Sequence, residues 1–296
     1  MSQPLRTPCP SSPAARLPPR RAARRRLACA ALAAGLGWLC PGLHAQPAAL
    51  TVGVPPFLSA GAVLETVRPM REHLERRLGR PVEVYSARDF RAMYEAARRG
   101  DDDLVVLPAH AAAVAIADWQ YRPLVSLFDD TTLLVMVRKD GPLRSVADLR
   151  GQRIGMLDPV SLSAVSAMQW LRGQQLLPGQ DVHPVTLSSI SSGLVALERD
   201  EIDALMITSV QMSMLRGTPA NAMRQLAVGP PLPAPLLLAH GRLPEDQVRL
   251  LSQALLDFQP DPQRPGGVFN APLRAVTPEM LGRVRALLEP TRALLR

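Results

Sequence analysis

The chain has 296 residues, a hydrophobic fraction of 47% and a formal net charge of +8. Seven of its arginines and all three of its cysteines lie within the first 40 residues, so the remainder carries a net charge of about +1 and no thiol. A nearly neutral remainder gives no support for a nucleic-acid partner. The missing thiols exclude disulfides, thiol catalysis and cysteine-ligated metals there.

The first 45 residues have the pattern of a secretory signal peptide. They contain no Asp or Glu, and the arginines precede an apolar run of 13 residues, Leu27–Leu39. This run is shorter than the roughly 20 residues needed to span a bilayer, and Ala45 supplies a small residue at the cleavage position. We therefore expect residues 1–45 to be removed and the rest to be a soluble, monomeric periplasmic protein. An uncleaved membrane anchor is the alternative.

Two segments about 100 residues apart share one pattern. Residues 80–107 align without gaps on residues 180–207, and Leu50–Val54 matches Arg153–Leu157. Each copy has the order strand, loop, helix, strand, helix, strand, with short apolar runs such as Leu104–Leu107 that are typical of buried parallel strands. This order predicts two doubly wound α/β lobes, with ligands bound beyond the carboxyl ends of the strands.

The first helix of the first copy is predicted from apolar residues at steps of three and four between Leu64 and Leu78. Pro69 lies within this stretch. Because proline lacks an amide hydrogen and clashes with the preceding turn, we expect the helix to start or kink there.

Two segments predict where the chain crosses between the lobes. The strand Thr131–Lys139 ends in the polar turn Asp140–Pro142, and a proline-rich stretch spans Gly229–Pro235. Two crossings form a two-segment hinge, which predicts ligand capture by lobe closure. The expected division is residues 46–139 and 235–296 in lobe one, and residues 140–234 in lobe two.

The loops that follow the predicted strands carry the candidate ligand contacts. The loop from Asp158 to Ala164 contains two serines and leads into a helix, whose free amides and nearby hydroxyls suit an anion. Alternatively, Ser161 or Ser163 only caps that helix. His110 can donate to an anion and adjust its charge near neutral pH, with a structural role as its alternative. The candidate ligand-binding residues are Phe57, Ser59, His110, Ser161, Leu162, Ser163, Thr208 and Ser209.

The sequence favours a binding protein over an enzyme. Beyond residue 45 it contains no nucleophile elbow, zinc-protease helix signature or phosphate loop, and its four histidines there are scattered. Asp101–Asp103 is typical of solvated carboxylates at a helix-to-strand turn rather than of a metal site. We therefore predict no catalytic residue, no metal and no cofactor, and an exported hydrolase is the disfavoured alternative.

Five blocks of sequence together resemble the phosphate, phosphite and phosphonate family of ABC-transporter substrate-binding proteins, over roughly Leu50 to Phe258. The blocks are LTVGVPP (50–56), RPMREHLERRLGRPVEVYSARDF (68–90), AARRGDDDLVVLPAH (96–110), SVADLRGQRIGMLDPVSLSA (145–164) and ALERDEIDALMI (196–207). The resemblance implies a type II periplasmic-binding fold, a small anion such as a phosphorus oxyanion as ligand, and the membrane permease of an ABC importer as partner. A ligand-sensing adaptor that docks on a membrane receptor, such as a histidine kinase, has the same expected fold.

The sequence departs from the family's ligand loop at two positions. Relatives that bind phosphonate or phosphite resemble D-P-x-S-T-S-G, whereas here Leu162 replaces the threonine and Ala164 replaces the glycine. One hydroxyl donor is lost and close backbone approach is restricted. The departures leave an oxyanion as the expected ligand but weaken the expectation of a phosphonate headgroup.

Overall fold

The computed structural model describes residues 48–56, 60–213, 215, 222–260 and 271–295. The predicted signal peptide, residues 1–45, lies outside these ranges. In the part of the chain that the structure describes, no helix is both long and apolar enough to cross a membrane.

The described residues form strands that alternate with helices through most of the chain. The strands are β1 (Leu50–Val54), β2 (Val82–Ser86), β3 (Leu104–Leu107), β4 (Tyr121–Ser126), β5 (Thr131–Arg138), β6 (Arg153–Met156), β7 (His183–Thr186), β8 (Ala204–Thr208), β9 (Met223–Leu232), β10 (Leu236–His240) and β11 (Arg274–Ala275). The helices are α1 (Ala60–Leu78), α2 (Phe90–Arg99), α3 (Ala109–Asp118), α4 (Leu162–Gly173), α5 (Ile190–Glu198), α6 (Ser209–Ser213), α7 (Glu245–Leu256), α8 (Pro278–Arg285) and α9 (Leu288–Leu294), with a short 3-10 helix at Val146–Leu149.

The strands form two sheets, with orders β11-β4-β10-β3-β1-β2 and β7-β6-β8-β5-β9. In each sheet the first three strands of one sequence copy run parallel: β2, β1 and β3 in the first, and β7, β6 and β8 in the second. One antiparallel strand follows in each, β10 beside β3 and β5 beside β8. The predicted α/β class with two sheets is confirmed.

The two sequence copies are equivalent in detail, with one change of register. Glu83 pairs with Thr51 and His183 pairs with Arg153, while Leu104 and Ala204 pair with Val52 and Ile154. Equivalent residues of the two copies are therefore 100 positions apart in the second and third strands of each copy, but 102 positions apart in the first strand. The predicted match of Leu50–Val54 with Arg153–Leu157 is wrong by one residue, and the corrected register places Gly53 opposite Gly155 in the repeat.

The corrected register explains both glycines. A Cβ on Gly53 would lie 2.5 Å from Asp102 Oδ2, and a Cβ on Gly155 would lie 2.4 Å from Ile202 Cδ1. Asp102 and Ile202 are themselves 100 residues apart, so each copy places a buried side chain against a bare backbone. The first copy has a carboxylate at this position, whereas the second has an aliphatic group.

The predicted boundary between the lobes after Lys139 is wrong at the level of the sheets. β5 lies in the second sheet, between β8 and β9, so the chain leaves the first sheet between β4 and β5. The return takes place at residues 233–235, within the predicted proline-rich stretch, because β9 ends at Leu232 and β10 begins at Leu236. A run of apolar residues predicts a strand but not the neighbours with which that strand pairs.

The first long helix, α1, passes through Pro69 and begins nine residues earlier, at Ala60. The prediction that it starts at Pro69 is therefore wrong. The side chains of Val63, Val67, Met70 and Leu74 on its inner face are buried. Burial of each such side chain contributes about 1.5–3 kcal/mol, so this face outweighs the cost of one lost backbone hydrogen bond.

The second helix, α2, carries strong start and stop signals. Asp89 caps it by accepting a hydrogen bond from Ala92 N at 2.7 Å, and Gly100 ends it in the left-handed region at φ 72°. The helix buries Met93 and Tyr94 on its inner face. These signals fix the bounds of the helix that carries Tyr94.

Candidate ligand-binding site

A cavity of about 70 Å³, partly open to solvent, lies between the two sheets. It is bordered by the carboxyl ends of β1, β3 and β8, by the loop that follows β6 and by the two segments where the chain changes sheets, as expected for this class of fold. Its described lining residues are Pro55, Phe90, Val106, Pro108, Leu127, Phe128, Thr131, Ser161, Leu162, Ser163, Thr208, Val210, Gln211, Pro233 and Pro235.

The N-terminus of α4 borders this cavity and carries its best anion donors. Ser161 Oγ accepts a hydrogen bond from Ala164 N at 3.2 Å, which is the predicted cap. Ser163 Oγ lies 3.3 Å from Ser161 Oγ, and both serines are buried. Among the described residues, the N–H groups of Leu162 and Ser163 have no hydrogen-bond partner. Capping by Ser161 therefore leaves two amides free to bind an anion, with the Ser163 hydroxyl beside them.

A second polar group of residues lies where β8 passes into α6. Thr208 N donates to Gln211 Oε1 at 2.8 Å, and Gln211 N donates to Thr208 Oγ1 at 3.2 Å. Both residues line the cavity. Ser209 does not appear in the described lining; its Oγ lies 3.0 Å from Thr131 Oγ1 and accepts from Thr132 N at 3.2 Å. Ser209 therefore fastens this turn to the start of β5, the neighbour of β8 in the second sheet.

The structure places His110 away from its predicted role. Its Nε2–H donates to Val160 O at 2.9 Å, the side chain is buried, and it is absent from the described lining of the cavity. Burial lowers the pKa of His110 to about 4, against a smaller raising effect of the bond to Val160. The prediction that its charge adjusts near neutral pH is wrong. A neutral ring whose one N–H is engaged by a carbonyl does not fit the predicted donation to an anion.

The walls of the cavity are mainly apolar and aromatic, and none of its described lining residues is charged. A neighbouring hollow that shares Phe90 contains Arg88, Asp89 and Asp158. The Arg88 side chain is 87% exposed, its Nε lies 3.1 Å from Asp89 Oδ2, and it is absent from the described lining of the cavity. An anion there would be stabilised by dipoles and hydroxyls alone.

Of the predicted contacts, Ser161, Leu162, Ser163 and Thr208 come together in the cavity. Phe57 and Ser59 lie outside the described residues and stay predictions. Sequence reasoning missed the apolar wall formed by Phe90 and the residues of the two sheet crossings. All of these residues lie beside a strand end or a crossing, and this position is the signal by which the sequence could have identified them. Which crossings face the cavity depends on the order of the strands, which the sequence pattern does not give.

Two carboxylates of the acidic run, Asp101 and Asp103, have structural partners. Asp103 Oδ2 accepts from Thr51 N at 3.1 Å, and its Oδ1 accepts from the Arg242 guanidinium at 2.8 Å. Asp101 pairs with Arg99. In the second copy, Asp203 Oδ2 accepts from Arg153 N at 2.9 Å. Each copy therefore has an aspartate that accepts a hydrogen bond from a backbone N–H of that copy's first strand.

Comparison with known families gives one match that covers most of the chain. The family model for the periplasmic substrate-binding protein of phosphonate ABC transporters matches residues 52–271. The chain belongs to this family. A search of curated proteins gives no match.

Several solved structures have the same fold as the chain. A binding component of a phosphonate ABC transporter from Pseudomonas aeruginosa superposes with a TM-score of 0.69 at 15% identity, over 85% of this chain and 89% of its own. PhnD1 from Prochlorococcus marinus, in complex with methylphosphonate, gives 0.69 at 15% identity, over 83% and 98%. A Xanthomonas citri protein bound to ATP gives 0.65 at 19% identity, over 84% and 98%.

Membership in the phosphonate-binding family gives the general role of the protein. It is a solute-binding component of an ABC transporter and not an enzyme, its ligand is a small molecule, and its partner is a membrane permease. The family also implies a periplasmic location. The structural likeness shows the type II periplasmic-binding fold.

Proposed function

We propose that this protein captures a small oxyanion, a phosphorus oxyanion or a related compound that carries a small apolar group, and delivers it to an ABC importer. The single observation that carries the proposal is the pair of free amides at Leu162 and Ser163, which borders a cavity between the two sheets together with the Ser163 hydroxyl. Amides at a helix N-terminus attract negative charge, and hydroxyls add further donors.

The rest of the cavity supports an anion of low charge with an apolar substituent. Phe90, Phe128 and the prolines of the crossings offer apolar surface, and the described lining supplies no cation to balance a second negative charge. Leu162, at the position of the family's threonine, adds to the apolar wall where a hydroxyl is expected. This composition favours a substituted oxyanion over inorganic phosphate.

Capture by closure of two lobes is part of the same proposal. The first lobe would comprise the first sheet with its helices, and the second lobe would comprise the second sheet, which extends from β5 to β9. The hinge would consist of residues 127–130 and 233–235, which connect the two sheets. Both hinge segments contribute residues to the cavity, so a ligand there would contact the lobes and the hinge together.

The experiment is a calorimetric and thermal-shift titration of the protein with methylphosphonate, phosphite, phosphate and sulfate. A ligand that binds only the native state raises the melting temperature by an amount that grows with its concentration. We expect Ser163→Ala to weaken binding of the best anion roughly 10-fold or more, because a hydrogen bond to a charged group contributes about 1.5–3 kcal/mol.

Ser166→Ala is the matched control. Ser166 is buried on the same helix, one turn further on, and is absent from the described lining of the cavity. It should leave the affinity unchanged. If no oxyanion binds, or if Ser163→Ala binds as well as the wild type, the proposed site is wrong.

We also propose that residues 1–45 are a signal peptide that is removed on export. The supporting pattern is the arginine-rich segment followed by the apolar run Leu27–Leu39. Mass spectrometry of the protein recovered from a periplasmic fraction should give a chain that begins at Gln46. Recovery of the intact chain in the membrane fraction would contradict this and favour an uncleaved anchor.

A further inference from the structure

Two side chains from helices of the first sheet bind one carbonyl oxygen in the second half of the chain. The Tyr94 hydroxyl donates to Val160 O at 3.2 Å, and His110 Nε2–H donates to the same oxygen at 2.9 Å. The two rings pack edge to face with centroids 5.9 Å apart. Tyr94, His110 and Val160 are all at least 95% buried. The contact is therefore a dry, specific connection between helices α2 and α3 and the loop before α4.

The two donors use the full hydrogen-bonding capacity of the Val160 carbonyl oxygen. A carbonyl oxygen has two lone pairs, and here each receives one donor. Burial raises the pKa of Tyr94 well above its ordinary value, with a further contribution from Asp158, and burial lowers that of His110 to about 4. Both donors are therefore uncharged at neutral pH, and neither hydrogen bond depends on titration there.

The contact lies directly beside the proposed anion site. Val160 precedes the cap residue Ser161, and the free amides of Leu162 and Ser163 follow. The loop is otherwise folded on Asp158, whose Oδ1 accepts from Val160 N at 3.0 Å and whose carbonyl accepts from Ser161 N at 2.8 Å. The Val160 carbonyl is the group that this loop presents to α2 and α3.

Apolar packing strengthens the same junction. Leu157 and Val160 belong to a hydrophobic cluster that includes Phe90 and Tyr94 of α2 and extends from the first sheet to residues of the second, such as Leu205. Separation of the two halves would expose these side chains as well as the two donors. The junction thus combines directional hydrogen bonds with burial of apolar surface.

We propose that Tyr94 and His110 act as a latch that holds the two lobes together through the Val160 carbonyl and thereby raises the affinity for every ligand without contacting any. The inference rests on the proposed function, since it requires lobes that close on a ligand. In a two-state equilibrium, the apparent dissociation constant is the intrinsic constant divided by the closed fraction. Loss of the latch therefore weakens binding of all ligands by one common factor.

The main test compares Tyr94→Phe with Tyr121→Phe by isothermal titration calorimetry with methylphosphonate and phosphite. Tyr94→Phe should raise both dissociation constants by the same factor, at most about 5-fold, since one hydrogen bond contributes about 1 kcal/mol and a partly closed ligand-free state gives a smaller rise. Tyr121 is also buried, and its hydroxyl donates to Asp102 O at 3.4 Å within the first sheet's half. Tyr121→Phe should therefore leave both constants unchanged.

The histidine is tested with a conservative pair of variants. His110→Gln retains a donor at about the reach of Nε2, whereas His110→Leu removes it. The latch predicts that His110→Leu weakens binding of both anions by a common factor and that His110→Gln restores most of the affinity. Circular dichroism on each variant confirms that the fold is retained. A purely structural role would give equal losses in the two variants.

A ligand-free measurement separates failure of the latch from failure of the proposed function. Small-angle X-ray scattering of the Tyr94→Phe, His110→Leu double variant without any anion should give a larger radius of gyration than the wild type or Tyr121→Phe. If no anion binds the wild type, the proposed function fails, but scattering still tests the latch. Unchanged scattering, unequal factors for the two anions, or equal weakening by Tyr121→Phe would overturn the latch.

Discussion

Asp102 is a buried carboxylate whose ionisation should oppose folding at neutral pH. Its side chain is 1% exposed, and its Oδ1 has no hydrogen-bond partner among the described residues. Burial raises its pKa from the ordinary 3.8 to about 6, with Arg242 acting in the opposite direction and Asp103 adding to the rise. We therefore predict that Asp102→Asn changes how stability depends on pH.

The sign and size of the effect follow from proton linkage. Between pH 3.8 and pH 6 the folded protein holds a proton on Asp102 that the unfolded chain has lost, so stability decreases as pH rises through this window. A difference of about 2 between the two pKa values corresponds to at most about 3 kcal/mol. Screening by solvent reduces this figure. Asn is neutral and has the same shape, so the variant should lack this dependence.

The measurement is chemical unfolding of the wild type and Asp102→Asn at pH 3.5 and at pH 7.5. The free energy of unfolding of the variant, measured relative to that of the wild type, should be about 1–3 kcal/mol higher at pH 7.5 than at pH 3.5. Asp101→Asn is the matched control, because Asp101 is exposed and adjacent. A difference between wild type and Asp102→Asn that stays constant with pH would refute the argument that this buried carboxylate opposes folding.

Two further predictions use the sequence repeat. Gly155→Ala should destabilise the protein by about 1–3 kcal/mol, because the new Cβ would lie 2.4 Å from Ile202 Cδ1; Ile202→Val, which removes that methyl, should recover part of the loss in urea unfolding. Asp203→Asn should lower the melting temperature at pH 7, and the loss should shrink as the pH is lowered. The Arg153 hydrogen bond lowers the pKa of Asp203, so its stabilising effect is present at neutral pH and disappears in acid. Equal losses at pH 7 and pH 3 would contradict this assignment.

The repeat shows how far local sequence determines the fold. Asp89 and Ser189 cap equivalent helices, and positions 100 and 200 both adopt left-handed backbone, as Gly100 and Asp200. These signals act within a few residues and can be found from the sequence. The register of the first strand was wrong by one residue because LTVGV and RIGML are both apolar runs, and only pairing with β3 and β8 distinguishes the two alignments.

His110 illustrates what local sequence leaves open. A histidine after a strand end is a reasonable candidate for donating a hydrogen bond to an anion. That role requires its side chain to face the cavity. The helix α3 instead turns it toward Val160, 50 residues later, where it is buried and neutral. Tyr94 joins the same oxygen from a different helix. No spacing in the sequence brings these three residues together.

The sequence by itself determined the α/β class, the repeated order of elements and the loop at Ser161–Ser163, because each depends on periodicity, capping or a short motif. Five blocks of sequence together resemble the family that the family model then shows. Only the tertiary structure decided that β5 belongs to the second sheet, that apolar residues of the two crossings line the cavity and that Tyr94 and His110 meet Val160. These features depend on which distant segments pack together. Burial then sets the charge and the hydrogen-bond partners of each side chain, and burial is a property of the assembled fold.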